Sequence, residues 1–156
     1  MNVYLVQHAQ AKQEHEDPER PLSEKGWSDI KKVAAFIAKK GNVSVKDIFH
    51  SGKTRAQQTA EVLAEQLNPS NGISETDGLK PMDDASIWAA RIADITEDIM
   101  LVGHLPHLSK LAAILLCWNV FNKEVVTFQT GSIICIGREE SEAWSIRWMI
   151  TPNILT

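Results

Sequence analysis

The sequence predicts an α/β fold: a three-layer α/β/α sandwich whose mostly parallel sheet carries helices on both faces and ends in an antiparallel hairpin. Three observations lead there. Short, nearly continuous apolar runs at Val3–Val6, Val45–Phe49 and Ile99–Val102 suit strands covered on both faces. Segments with helical apolar spacing separate those runs. Near the end the period changes from helical to alternating.

In chain order, Val3 to Val6 is the first strand, followed by a polar loop from Gln10 to about Leu22. Ser23 is placed to cap a helix with Trp27, Ile30, Val33 or Ala34, and Ile37 on one face, and Gly41 is its natural stop. A second strand spans Val45–Phe49. A second helix begins near Thr54, carries Ala56, Ala60, Leu63 and Leu67 at helical spacing, and ends at the Asn68–Gly72 cluster. A third helix starts at Asp83 or Asp84 with Ile87, Trp88 and Ile92 inward. The Ile99–Val102 strand stops at Gly103, and a helix with Leu108, Leu111, Leu115 and Leu116 follows Pro106. Ile133–Ile136 and the alternating Trp144–Ile150 form the hairpin, with the Trp144/Trp148 stripe in the core.

The 156 residues fit a single domain over 1–156, with enough surface to bury for a real core. With 16 basic and 20 acidic residues and no basic stripe, nucleic acid is not the expected partner. Cys117 and Cys135 lie in apolar stretches without a CxxC or Cys/His neighbourhood, so both read as buried hydrophobes; no metal or other cofactor is expected. No leader is visible, and the longest apolar run, Leu111–Trp118, is too short to span a bilayer. The expectation is a cytoplasmic protein, off the membrane and monomeric.

In open parallel sheets, ligands bind outside the carboxyl ends of the strands. Here the residues just past those ends are Gln7-His8-Ala9, His50-Ser51 with Arg55 soon after, and Gly103-His104. Two histidines and an arginine from separate strand ends are thereby expected around one crevice, and the chemistry they suit is phosphoryl transfer. Imidazole is a competent nucleophile near neutral pH, since its ordinary pKa is about 6.5. His8 would attack phosphorus, His104 would donate to an equatorial oxygen while held protonated by the phosphate, and Arg55 would grip the same oxygens. His15 and His107 read as loop and helix-end residues without catalytic duty, and His50 as support behind the site.

Five segments in order then carry a family resemblance: Val6-Gln7-His8-Ala9, Arg20-Pro21-Leu22-Ser23-Glu24-Lys25-Gly26, Ser51 to Ala60 (SGKTRAQQTA), Gly103-His104-Leu105-Pro106, and the tail from Trp144 to Pro152. Together they span nearly the whole chain. The sequence resembles the histidine phosphatase superfamily, and within it the short, SixA-type bacterial branch of phosphohistidine phosphatases. The resemblance implies a phosphoglycerate mutase-like fold, His8, Arg55 and His104 as catalytic residues, and Gln7, Ala9, Arg20 and Ser51 around the phosphate. Two positions depart from the pattern. Gln7 stands where the family has arginine, and Ala9 where it has glycine, so a methyl could crowd the phosphate or disfavour a positive-φ turn. Arg20 is a candidate substitute charge.

Ester cleavage expels an alkoxide and wants a general acid, for which only Asp83 and Asp84 offer themselves, more readily as helix caps. A phosphoramidate expels imidazole, a better leaving group. The expected function is therefore removal of phosphoryl groups from a histidine-phosphorylated signalling protein of the phosphotransfer type, through a phospho-His8 intermediate. The alternatives are a phosphate- or phosphoprotein-binding relative with little turnover, and a small-molecule phosphomonoesterase.

Overall fold

The structure, a computed structural model, describes residues 1–118 and 124–155. Its strands are β1 (Asn2–Gln7), β2 (Asp47–His50), β3 (Ile73–Glu75), β4 (Ile99–Gly103), β5 (Ile133–Arg138) and β6 (Trp144–Ile150). The helices are α1 (Glu24–Lys40), α2 (Thr54–Leu67), α3 (Ala85–Asp94) and α4 (His107–Cys117). The strands form one sheet in the order β3-β2-β4-β1-β5-β6. From β3 to β1 every pairing is parallel; β5 and β6 add the antiparallel hairpin.

The alternation of side chains along the central strands makes the three layers. Tyr4 and Val6 of β1 and Met100 and Val102 of β4 pack on one face with Ile30, Val33 and Ile37 of α1 and Ala56, Ala60 and Leu63 of α2. Val3, Leu5, Ile99 and Leu101 pack on the other with Trp88 and Ile92 of α3 and Leu108 and Leu111 of α4. Burial on both faces is why these strands read as continuous apolar runs.

Several local expectations change. β3 is a short edge strand without an apolar run, and only its pairing with β2 defines it. Ile87 is 38% exposed, because the buried face of α3 runs through Ala85, Trp88 and Ile92, about 100° away around the helix. Asp84 is the N-cap of α3 and accepts from the Ser86 N–H. The tryptophan stripe of β6 is split. Cys135 pairs with Trp148 and Ile136 with Ile146, so the register skips Arg147. That bulge turns Trp144 and Met149 toward the α3/α4 face and Trp148 and Ile150 toward the α1/α2 face, and leaves Ile146 49% exposed. Cys135 is buried as expected, but Cys117, at the last turn of α4, is exposed. No helix among the described residues is long and apolar enough to cross a membrane.

α1 locks the loop that follows β1. The Ser23 hydroxyl accepts from the Gly26 N–H at 3.0 Å, and the Ser23 N–H bonds the Gln10 carbonyl at 2.9 Å. Gly26 packs so closely that a Cβ there would stand 2.0 Å from the Gln10 carbonyl oxygen. A glycine-to-alanine change inside a helix normally stabilises by up to about 1 kcal/mol. Here Gly26→Ala must push backbone apart, and is expected to destabilise by about 1–3 kcal/mol in denaturant unfolding. A variant as stable as the parent would show that the helix does not dock against Gln10.

Candidate active site

Because β1, β4 and β2 are parallel and in register, their carboxyl ends lie in one row: Gln7 opposite Gly103, and Val102 opposite His50. The next residues, His8, His104 and Ser51, therefore emerge together. The rings of His8 and His104 lie 5.0 Å apart between centroids, tilted by 50°. Both are buried, at 9% and 2% exposure.

Hydrogen bonds set the state of each ring. His8 Nδ1 lies 2.7 Å from the Ala9 carbonyl, which can only accept, so Nδ1 carries the proton. Nε2 is left with its lone pair, and the Arg55 Nε–H donates to it at 3.3 Å. His104 Nε2 lies 2.6 Å from Ser51 Oγ, which also accepts from the Lys53 N–H at 3.3 Å. A hydroxyl keeps a second lone pair, so Ser51 can serve either tautomer of His104. His104 Nδ1 is buried without a hydrogen-bond partner among the described residues. A buried polar atom left unpaired costs about 1–3 kcal/mol, so a ligand atom that pairs with it would be bound favourably.

The α2 segment that the sequence singled out is a set of ties. Arg55 touches His8. Gln58 Oε1 accepts from the Leu22 N–H at 2.8 Å, holding the loop between Gln10 and Leu22. Thr59 Oγ1 accepts from the Ala9 N–H at 3.0 Å and donates to the Arg55 carbonyl at 2.7 Å, so one hydroxyl fixes the arginine relative to the histidine. Gly131, at φ +77°, donates to the carbonyls of Gln7 and His8 and closes the other side. In sequence it is one more turn glycine, and its role appears only once β5 lies beside β1. His50 is also structural: its Nδ1 accepts from the Gly52 N–H at 3.1 Å and supports the Ser51–Lys53 turn.

Beside Arg55, which links it to His8, lies a cavity of about 350 Å³ whose lining includes neither imidazole. Arg20, Lys53 and Arg55 line it, with Glu14, Pro18, Glu19, Gly52 and Thr54. The structure thus brings Arg20 to the mouth, in a left-handed conformation at φ +47° with its Nε–H on the Lys12 carbonyl. Lys53, Glu14 and Glu19 were not singled out from the sequence; their spacing carries no signal until the loop closes over α2. Two expectations change. Ala9 is fully buried and is not at positive φ, so its methyl packs in the core and neither strains the turn nor faces a ligand; its contribution is the carbonyl that orients His8. Gln7 does not line the cavity, and its Oε1 is buried without a donor.

Burial is the main reason that His8 is pushed down to about 4, with Arg55 and Arg20 adding to it and the Ala9 carbonyl opposing. His104 is lowered further, by burial first and then by His8, Arg55 and Lys53. The free site therefore holds two neutral rings. His104 is thus neutral without an anion, and a bound phosphate is what would hold it protonated. Asp83 and Asp84 are both engaged: Asp83 accepts from the Lys80 N–H within the turn before α3, and at the N-cap of α3 the Ser86 N–H holds Asp84 below the usual carboxylate range. No group of three or more metal-ligating side chains occurs among the described residues.

Comparison with known proteins gives a consistent picture. The family model of the histidine phosphatase superfamily (branch 1) matches residues 3–98. The phosphohistidine phosphatase SixA of Escherichia coli (strain K12) is 25% identical over 157 residues, covering 97% of this chain and 94% of the relative. Among solved structures, the protein histidine phosphatase SixA complexed with tungstate superimposes with a TM-score of 0.85 at 23% identity, covering 100% of both chains. The α-ribazole phosphatase from Shigella flexneri does so with a TM-score of 0.78 at 15% identity, covering 97% of both.

The electrostatics make a prediction. An oxyanion reverses the balance that keeps His104 neutral, so its binding must raise the imidazole pKa. Tungstate is a dianion at about pH 7, so binding it there should take up protons, up to about one per site. In calorimetry the observed enthalpy should vary with the ionisation enthalpy of the buffer, and affinity should rise as pH falls from about 8 to about 6. No buffer dependence would mean that the rings stay neutral in the complex.

Proposed function

The chain belongs to the histidine phosphatase superfamily, branch 1, a superfamily of phosphatases, and we propose that within it this protein hydrolyses phosphohistidine on a histidine-phosphorylated signalling protein in the cytoplasm. The observation that carries the proposal is the His8 ring. Its Nδ1 proton is held by the Ala9 carbonyl and its Nε2 lone pair is free of protons, while the buried carboxylate among the described residues, Asp29, is paired with Lys25 on α1.

In this reading the phosphoryl group displaces His8 as the acceptor of Arg55. His8 Nε2 attacks phosphorus in line as the P–N bond of the substrate breaks, and the departing imidazole takes a proton from solvent water. The charge on the equatorial oxygens is met by Arg55 and by His104. Water then attacks phosphorus, the bond to His8 breaks, and inorganic phosphate leaves with His8 neutral again. Arg20 and Ser51 act around the phosphate, Arg20 as charge at the mouth and Ser51 through His104. Imidazole leaves readily, so the turn and cap duties of Asp83 and Asp84 cost such a reaction nothing. Similarity to the Escherichia coli phosphohistidine phosphatase SixA supports the same substrate.

A second reading has its own observation. Glu14 and Glu19 line the mouth, where a carboxyl could protonate an alkoxide, and α-ribazole phosphatase shares the fold. Both glutamates are exposed, without the burial that tunes a carboxyl for general acid work, so this reading ranks lower. A binding-only role rests on Gln7, which brings no charge.

The test is loss of label from a phosphohistidine carrier protein, alongside a phosphomonoester. Wild type should clear the phosphohistidine faster, and His8→Ala should lose at least about a thousandfold in kcat/KM. An unchanged His8→Ala rate would end the mechanism. A faster phosphomonoester, slowed by Glu14→Gln or Glu19→Gln, would favour the second reading. Gln7→Arg should raise kcat/KM by about three- to tenfold, since a charged donor outbinds a neutral one. Near-zero wild-type turnover, rescued by that change, would identify a binding protein.

A further inference from the structure

Arg20, Lys53 and Arg55 face one cavity, and among the described residues none of them has an ion-pair partner within 4.0 Å. The acids in the lining, Glu14 and Glu19, leave a surplus of one positive charge there, in a protein whose formal charge is −4. Two of the three cations are already occupied: Arg20 through its Nε–H on the Lys12 carbonyl, Arg55 through its Nε–H on His8. The ammonium of Lys53 has no hydrogen-bond acceptor among the described residues, although the residue is only partly exposed. Lys53 is also held where charge would count. It is the N-cap of α2, and its backbone N–H bonds Ser51 Oγ, the atom that contacts His104. Its backbone is thus tied to the imidazole pair through two hydrogen bonds that share Ser51 Oγ. Its charge is felt there, being among the influences that lower His104. Gln7, next to His8 in the chain, offers no charge.

From this we infer that Lys53 is a phosphate-binding residue that supplies, from the N-terminus of α2, the positive charge absent at Gln7. The inference rests on the phosphatase reading of the site and adds a residue to it. The third cation has moved: it reaches the phosphoryl oxygens from the α2 side of the sheet and not from the end of β1. A lysine suits that place because its ammonium is a compact point charge on a flexible stem, able to follow the phosphoryl group through transfer.

Tungstate binding to the intact protein, measured by calorimetry, separates this role from a structural one. Lys53→Met keeps the stem and removes the charge, and should weaken binding about tenfold, a loss that shrinks at high salt. Lys53→Arg should stay within about threefold of wild type. In a Gln7→Arg background, Lys53→Met should cost less than about threefold, because the replaced charge is then back beside His8. Thermal melts of the variants should match, since Lys53 caps α2 through its backbone and makes no side-chain cap. Lys53→Met binding within twofold of wild type would overturn the inference, as would the full tenfold loss persisting in the Gln7→Arg background. Wild type that binds no tungstate would overturn both this inference and the functional reading beneath it; wild type that binds, with Lys53→Met its equal, overturns this one alone.

Discussion

The parallel register of β1, β4 and β2 is the constraint from which the site follows. Parallel neighbours cannot be joined by a hairpin; each needs a crossover, and here the crossovers are helices laid on the two faces. The parallel strands β1, β2, β3 and β4 then all end at the same edge, and the helices that follow them begin there. His8 comes one residue after β1, Ser51 one after β2, and His104 one after β4. Arg55 is the second residue of α2. No long loop is needed to gather these groups, and their separations are those of adjacent strands.

The same burial that builds the core decides the chemistry. A ring at 9% exposure between two guanidinium groups is costly to protonate, so His8 keeps the Nε2 lone pair that a nucleophile needs. His104 is held neutral by the same forces and has a buried ring nitrogen without a partner among the described residues. Nearby, three cations face two carboxylates. An oxyanion relieves each of these at once, which is how a mildly acidic protein can bind one. The relief is greatest where most charge gathers on the oxygens, so the arrangement favours phosphoryl transfer over mere retention.

What the sequence revealed and what it concealed have physical reasons. The central strands were legible because burial on both faces leaves no polar residue in them, and His8, His104 and Arg55 were legible because strand ends are where such sheets bind. β3 was not, since an edge strand of three residues leaves no apolar signature. Nor was the Arg147 bulge: alternation predicts one face for Trp144 and Trp148, and only pairing with β5 reveals that the face changes between them. Gly131, Lys53, Glu14 and Glu19 reach the site through tertiary closure alone. Ala9 was misjudged because a family glycine suggests a positive φ, while the chain here turns without one.

The Gln7 position shows how a motif can mislead in the other direction. Read along the chain, replacing an arginine beside the nucleophile subtracts a charge, and the protein looks impaired. A phosphoryl group responds to the distance of a charge and to how well water screens it, and is indifferent to which strand supplied it. Lys53 lies 46 positions from Gln7 along the chain, yet its backbone is tied through Ser51 to the same imidazole pair. The relevant count is therefore the number of cations around the cavity, and that count is three, against two carboxylates. Loss at one motif position weakens the case for an active enzyme only when no other residue has entered the same space, and that is a property of the folded chain.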